Sequence, residues 1–183
     1  MYDFQWHYIM DQQQQSNPNK KMGFTMIVAM WLLIFVMLAW FFSGVLDRQN
    51  NPNSSVATQY MTDGLKEVVL QRNRLGHYVV SGEVNHHPVV FMLDTGATGV
   101  VLPQSLAQRL SLKQGRPIRV QTANGSVNAF AVKLDKVSIG DIALNNVNAI
   151  VNPADQNDEV LLGMSFLKHI EFTQRGDTLI LRQ

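Results

Sequence analysis

The sequence predicts a small, mostly β domain with one or two short helices, preceded by one transmembrane helix. Three features point there. Met22 to Leu46 is an uncharged run of 25 residues. After Leu75-Gly76 the chain changes to short β-rich runs separated by turn signals. Within that second part only Pro103 to Leu110 has convincing helical periodicity.

Residues 1–21 are polar, with the Gln12–Gln15 run and Asn17-Pro18-Asn19, and read as a cytoplasmic tail. The span is assigned to 22–46. A helix of about 20 apolar residues rises about 30 Å, the thickness of a hydrocarbon core. Trp40, Phe41 and Phe42 cluster toward one end, where aromatic rings favour the headgroup level. A cleaved signal peptide would have a shorter apolar core and a small-residue cleavage site, neither of which is present. Lys20 and Lys21 precede the span. They place the N-terminus inside an inner (cytoplasmic) membrane and the C-terminal part in the periplasm or another extracytoplasmic space. Residues 47–76 begin Asn-, Ser- and Gln-rich and read as a linker. Leu65, Val68, Val69 and Arg72 have helix-like spacing inside it.

Residues 77–183 form the domain. Tyr78–Val80, Val84 and Val89–Leu93 are predicted strands with a hairpin turn near Asn85–Pro88. Ile118–Thr122 and Val127–Leu134 are strands joined through Asn124-Gly125, a dipeptide that tolerates the positive φ of a type I′ turn. Val137–Leu144 contains a second hairpin at Gly140-Asp141. Val147–Val151, Val160–Leu162 and Thr178–Leu181 complete the strands. Leu102, Leu106 and Leu110 lie one turn apart beside Pro103, and a second short helix is expected over Met164–Leu167.

Composition excludes several functions. Fifteen basic against fourteen acidic residues leave a net charge of +1, so nothing favours a nucleic-acid backbone. The absence of cysteine removes disulfides, thiolate nucleophiles and Cys-ligated zinc together. His86 and His87 are adjacent and would face opposite ways on a strand, with no third ligand in spacing, so no metal and no cofactor is expected. His169 is an isolated histidine.

The chemistry concentrates at Phe91-Met92-Leu93-Asp94-Thr95-Gly96-Ala97. A carboxylate directly after five apolar residues is misplaced as strand decoration, because the end of a buried strand is costly for a lone charge. In a tight turn it can be held by backbone donors. Gly96 lets that turn bend, and Thr95 offers a hydroxyl to brace it. On these residues the chain resembles the retropepsin-type aspartic proteases, single-motif relatives of pepsin, and within them the bacterial membrane-anchored type. The likeness extends to an apolar strand before Asp94, to a flap hairpin matched by Thr122-Ala123-Asn124-Gly125, and to an apolar-apolar-Gly motif matched by Leu161-Leu162-Gly163 before a short helix.

The resemblance implies a retropepsin-like (half-pepsin) closed β-barrel. Asp94 is the catalytic residue, Thr95, Gly96 and Ala97 form the active-site turn, and Thr122–Gly125 bind substrate. Leu161, Leu162 and Gly163 support the turn. The reaction implied is hydrolysis of a peptide or protein substrate by water activated between two carboxylates. Asp47, Asp63, Asp135, Asp141, Asp155, Asp158 and Asp177 lack an Asp-(Thr/Ser)-Gly context, so the second carboxylate implies a homodimer. A non-catalytic peptide-binding or dimerisation module on the same fold is the alternative.

Overall fold

A computed structural model describes residues 18–122, 125–155 and 157–183. Most of the predicted tail, and the flap residues Ala123 and Asn124, lie outside the described residues. The chain divides into two compact units, 1–45 and 46–183.

Helix α1 spans Pro18–Asn50, longer than the predicted 22–46. Within its stretch Gly23–Asn50 an 18-residue window reaches a mean hydropathy of 2.4, and the stretch is long and apolar enough to cross a membrane. Every residue from 23 to 50 is exposed. The helix stops before Pro52, since a residue preceding proline is pushed out of the α region.

Among the described residues the second unit has eleven strands in two sheets. In the smaller, β1 (Thr58–Tyr60), β2 (Lys66–Gln71), β11 (Thr178–Arg182) and β10 (Glu171–Arg175) are neighbours in that order. β1 and β2 correct the expectation of a linker over 47–76 and of helix-like spacing at Leu65, Val68, Val69 and Arg72. Val68 and Leu70 are buried while Val69 between them is exposed, a period of two. Pairing of Val68 with Leu181 and of Leu70 with Leu179 fixes that register, and tertiary pairing overrides the local spacing.

The larger sheet runs β3 (Val79–Val84), β4 (His87–Leu93), β9 (Glu159–Leu162), β5 (Val100–Pro103), β8 (Ile142–Asn152), β7 (Gly125–Ile139) and β6 (Pro117–Thr122). A further pairing of β3 with β7, Glu83 opposite Ser138, closes it into a barrel. Gly82 makes that seam possible. A Cβ there would strike Ser138 O and lie 2.8 Å from Phe91 Cε2. Asn85 and His86, at φ 49° and 66°, form a two-residue turn between β3 and β4, inside the region Asn85–Pro88 where a hairpin turn is expected. Helices α2 (Gln104–Arg109) and α3 (Met164–Leu167) match the predicted pair, and Leu106, Phe166 and Leu167 are buried beneath them. The barrel interior is filled by Val80, Phe91, Leu102, Leu134, Ile139 and Leu162, all fully buried.

Candidate active site

β4 delivers Asp94. Phe91 is buried, and Leu93 N donates to Tyr78 O at 3.0 Å, so pairing with β3 continues to the last residue of the strand. Asp94 follows at once, half-buried, and its own N–H donates to Leu162 O at 3.2 Å. The carboxylate is held from within the turn: Gly96 N–H donates to Asp94 Oδ1 at 2.8 Å, and Ala97 N–H to Asp94 O at 3.2 Å. A charge-assisted bond from a backbone amide fixes the side chain without a cationic partner. Thr95 is exposed, and among the described residues its hydroxyl braces nothing; the backbone of Gly96 does that work instead.

Leu161-Leu162-Gly163 sits against the turn. β9 lies parallel to β4, Leu162 opposite Leu93, and Val101 of β5 faces Leu161 on the other side. The strands entering and leaving the Asp94 turn are thus separated by one strand from the far end of the chain. Leu162 points into the core, leaving Leu161 as the half-buried member of the pair. Gly163 is buried where only a hydrogen fits. A Cβ would lie 2.5 Å from Ala97 O and 2.9 Å from Gly99 C. Next along, Met164 N–H donates to Ala97 O at 2.8 Å.

The sequence assigned Ser165 no role. Its Oγ accepts from Val100 N at 3.0 Å and donates to Asn148 O at 2.9 Å, tying the strand that leaves the turn to α3 and β8. A serine inside a four-residue helix is locally ordinary, and only the fold shows its partners.

The expected flap is a separate element. β6 and β7 pair from Pro117–Phe130 to Thr122–Gly125, with a cross-strand bond from Ser126 Oγ to Gln121 Oε1 at 2.7 Å. Gly125, at φ 109°, belongs to the end of β7 and pairs with Thr122. In the strand order, β8 and β5 stand between this hairpin and β9.

Five of the other aspartates have side-chain partners elsewhere. Asp63 Oδ1 accepts from Leu65 N, Asp141 Oδ2 from the Tyr60 hydroxyl, and Asp155 Oδ1 from Asn157 N. Asp158 and Asp177 face Arg109 and Arg72 at 3.9 and 3.4 Å. Asp158 precedes β9 at the end opposite Asp94. Among the described residues no group of three or more His, Cys, Asp or Glu gathers as metal ligands. His169 helps line a hollow of about 180 Å³ with Asn145, Asn146, Asn148, Ser165 and Lys168, a lining that does not include Asp94.

A family model described as "gag-polyprotein putative aspartyl protease" matches residues 80–169, a stretch that brackets Asp94, the β6–β7 hairpin and Gly163. An uncharacterized protein from the cobV 5′ region of a Sinorhizobium species is 37% identical over 125 residues, covering 66% of this chain and 54% of that protein. An uncharacterized protein of Rickettsia prowazekii is 28% identical over 162 residues, 84% of this chain and 69% of its own length. The chain therefore spans about half the length of the first of these relatives. The crystal structure of a retropepsin-like aspartic protease from Rickettsia conorii superposes with a TM-score of 0.55 at 29% identity, over 70% of this chain and 94% of that one.

Proposed function

The chain belongs to the retropepsin-like aspartic proteases, and from that premise we propose that it is a membrane-anchored endopeptidase, active as a homodimer. The observation that carries this reading is the Asp94 turn: a carboxylate at the mouth of the barrel, fixed through one oxygen by Gly96 N–H. Among the described residues its Oδ2 has no hydrogen-bond partner, which leaves that oxygen to act on water.

One such carboxylate is half a catalytic pair. Two Asp94 side chains brought to about 3 Å across a two-fold axis cannot both ionise and share one proton. The ionised member takes a proton from the water that attacks the peptide carbonyl. The protonated member donates to the carbonyl oxygen and then assists departure of the amine. Thr122 to Gly125 of each flap close over the substrate, and Ala97 and Leu161 offer apolar walls. The α1 helix is the anchor, with its N-terminal side in the cytoplasm and the protease domain in the periplasm or another extracytoplasmic space. Two chains anchored in one bilayer meet at raised effective concentration, which favours the dimer.

The test compares the full chain in detergent with its Asp94→Asn and Asp94→Ala variants, following cleavage of an unbiased peptide mixture from about pH 3 to 7, with sedimentation alongside. Cleavage favoured by acid, tracking the dimer and lost in both variants, is the expected result. A folded, dimeric chain that cleaves nothing at any pH replaces the proteolytic reading with that of a binding module.

A further inference from the structure

The chain that leaves the span is fastened to the domain almost immediately. Helix α1 continues through Asp47-Arg48-Gln49-Asn50, and Asn51 N–H still donates to Asp47 O at 2.9 Å. Asn73 Nδ2 donates to Asn50 O at 3.0 Å, and Arg74 reaches Gln49 Oε1 at 3.3 Å. Asn51 Nδ2 donates to Ser81 Oγ at 3.0 Å. Asn53 then enters the fold, 4% exposed. Its Nδ2 donates to Val79 O at 2.7 Å and Gln71 O at 2.9 Å, its Oδ1 accepts from Gln71 N at 2.7 Å, and its backbone bridges to Val80.

A single buried amide thus joins β2 of the small sheet to β3 of the barrel with its hydrogen-bonding capacity nearly filled. All of these bonds lie within the unit 46–183. Four helical residues beyond Leu46 add only roughly 6 Å of rise, and no run of unpaired chain separates the apolar run from the fold.

We propose that these asparagines leave the anchor without slack, so that the enzyme cuts segments lying close to the bilayer, the juxtamembrane stretches of other membrane-anchored proteins. This rests on the proteolytic reading above. Bonds held far from the membrane fall outside its reach.

The test uses the full chain in vesicles of phosphatidylethanolamine and phosphatidylglycerol. The probe substrate is the insulin B-chain sequence fused to a single span through Gly-Ser spacers of graded length. A variant with a Gly-Ser insertion between Leu46 and Asp47 keeps every bond described here and adds slack; about twelve residues add roughly 19 Å of reach. The native chain is expected to cleave the shortest-spacer substrate at least about tenfold faster than the longest, and the insertion to even the rates. Equal cleavage of all spacers by the native chain overturns the proposal.

A second readout is independent of activity. The chain has no cysteine, so Lys113→Cys takes a single fluorophore, and energy transfer to labelled headgroups reports the domain's distance from the bilayer. A narrow distribution in the native chain, broadened by the insertion, is expected. A native distribution as broad as the variant's refutes the taut anchor. A narrow distribution with no cleavage of any substrate refutes the proteolytic reading, and the substrate class with it, while the anchor stands.

Discussion

Gly163→Ala adds one methyl group at a place where the backbone itself would accept it. Gly163 has φ −94° and ψ −167°, extended values open to any residue, so conformational strain is not the obstacle. Space is. The new Cβ would meet Ala97 O at 2.5 Å and Gly99 C at 2.9 Å, with Gly99 O also inside contact distance. A carbon needs about 3.5 Å, so the facing chain must retreat by about 1 Å. What retreats is the turn that carries Asp94, and it has no rotamer to escape into. Overpacking of this kind costs about 1–3 kcal/mol, with rigid backbone placing it near the upper end. For a domain of this size about 3 kcal/mol lowers Tm by roughly 10 °C. A displacement of about 1 Å at the reacting group costs about 100-fold in rate. Gly99→Ala is the matched control, because its Cβ would find only Ile150 Cδ1 and Ser165 Oγ, both at 3.8 Å, in ordinary contact. Thermal unfolding and peptide cleavage of both full-length variants provide the check. If Gly163→Ala melts and cleaves like the parent, or Gly99→Ala falls as far, close packing of β9 against the turn does not position the site.

Three other expectations follow from the same geometry. Asn53→Ala leaves Gln71 N, Gln71 O and Val79 O without their side-chain partner in a buried position, and should destabilise the domain by about 3 kcal/mol in denaturant titration. Gly82→Ala should force β3 from β7 at a cost of about 2 kcal/mol, seen as faster amide exchange at Val137 and Ser138 than at Phe91. The Tyr60 hydroxyl donates to Asp141, which raises its pKa above the ordinary phenol value, with burial and the Asp141 charge adding to the shift. Because the folded-state value is the higher one, the stabilisation is complete below the unfolded pKa and is lost as pH rises through the folded pKa. Ultraviolet titration should show one tyrosine ionising late, an effect removed by Asp141→Asn.

Legibility followed how far each signal reaches along the chain. Asp94-Thr95-Gly96 is contiguous, and its turn is formed largely by its own amides, so the local residues suffice to find it. Asn85-His86 and Gly140-Asp141 were readable for the same reason, since turn chemistry is local. β2 was not, because Leu65, Val68, Val69 and Arg72 satisfy a helical spacing until β11 supplies a partner. β10 was hidden differently. Glu171–Arg175 buries no side chain fully, so its strand character comes wholly from the ladder with β11. Asn51 and Asn53 sit in a polar stretch with a linker's composition, and only their bonds to Ser81, Gln71 and Val79 distinguish a fastening from a spacer. Ser165 likewise had no local mark.

The placement of β9 beside β4 also bears on biosynthesis. Asp94 emerges well before the carbonyl of Leu162 that receives its amide and before Gly163 packed behind it. Parallel pairing over such a separation closes slowly, because loop entropy is lost before the contacts form. A nascent polypeptide that has reached only as far as Asp94 therefore holds no finished turn, and the support of that turn waits until Leu162 and Gly163 have been synthesised. The order of the strands thus makes the Asp94 turn a late product of folding, completed only when the distant β9 arrives beside β4.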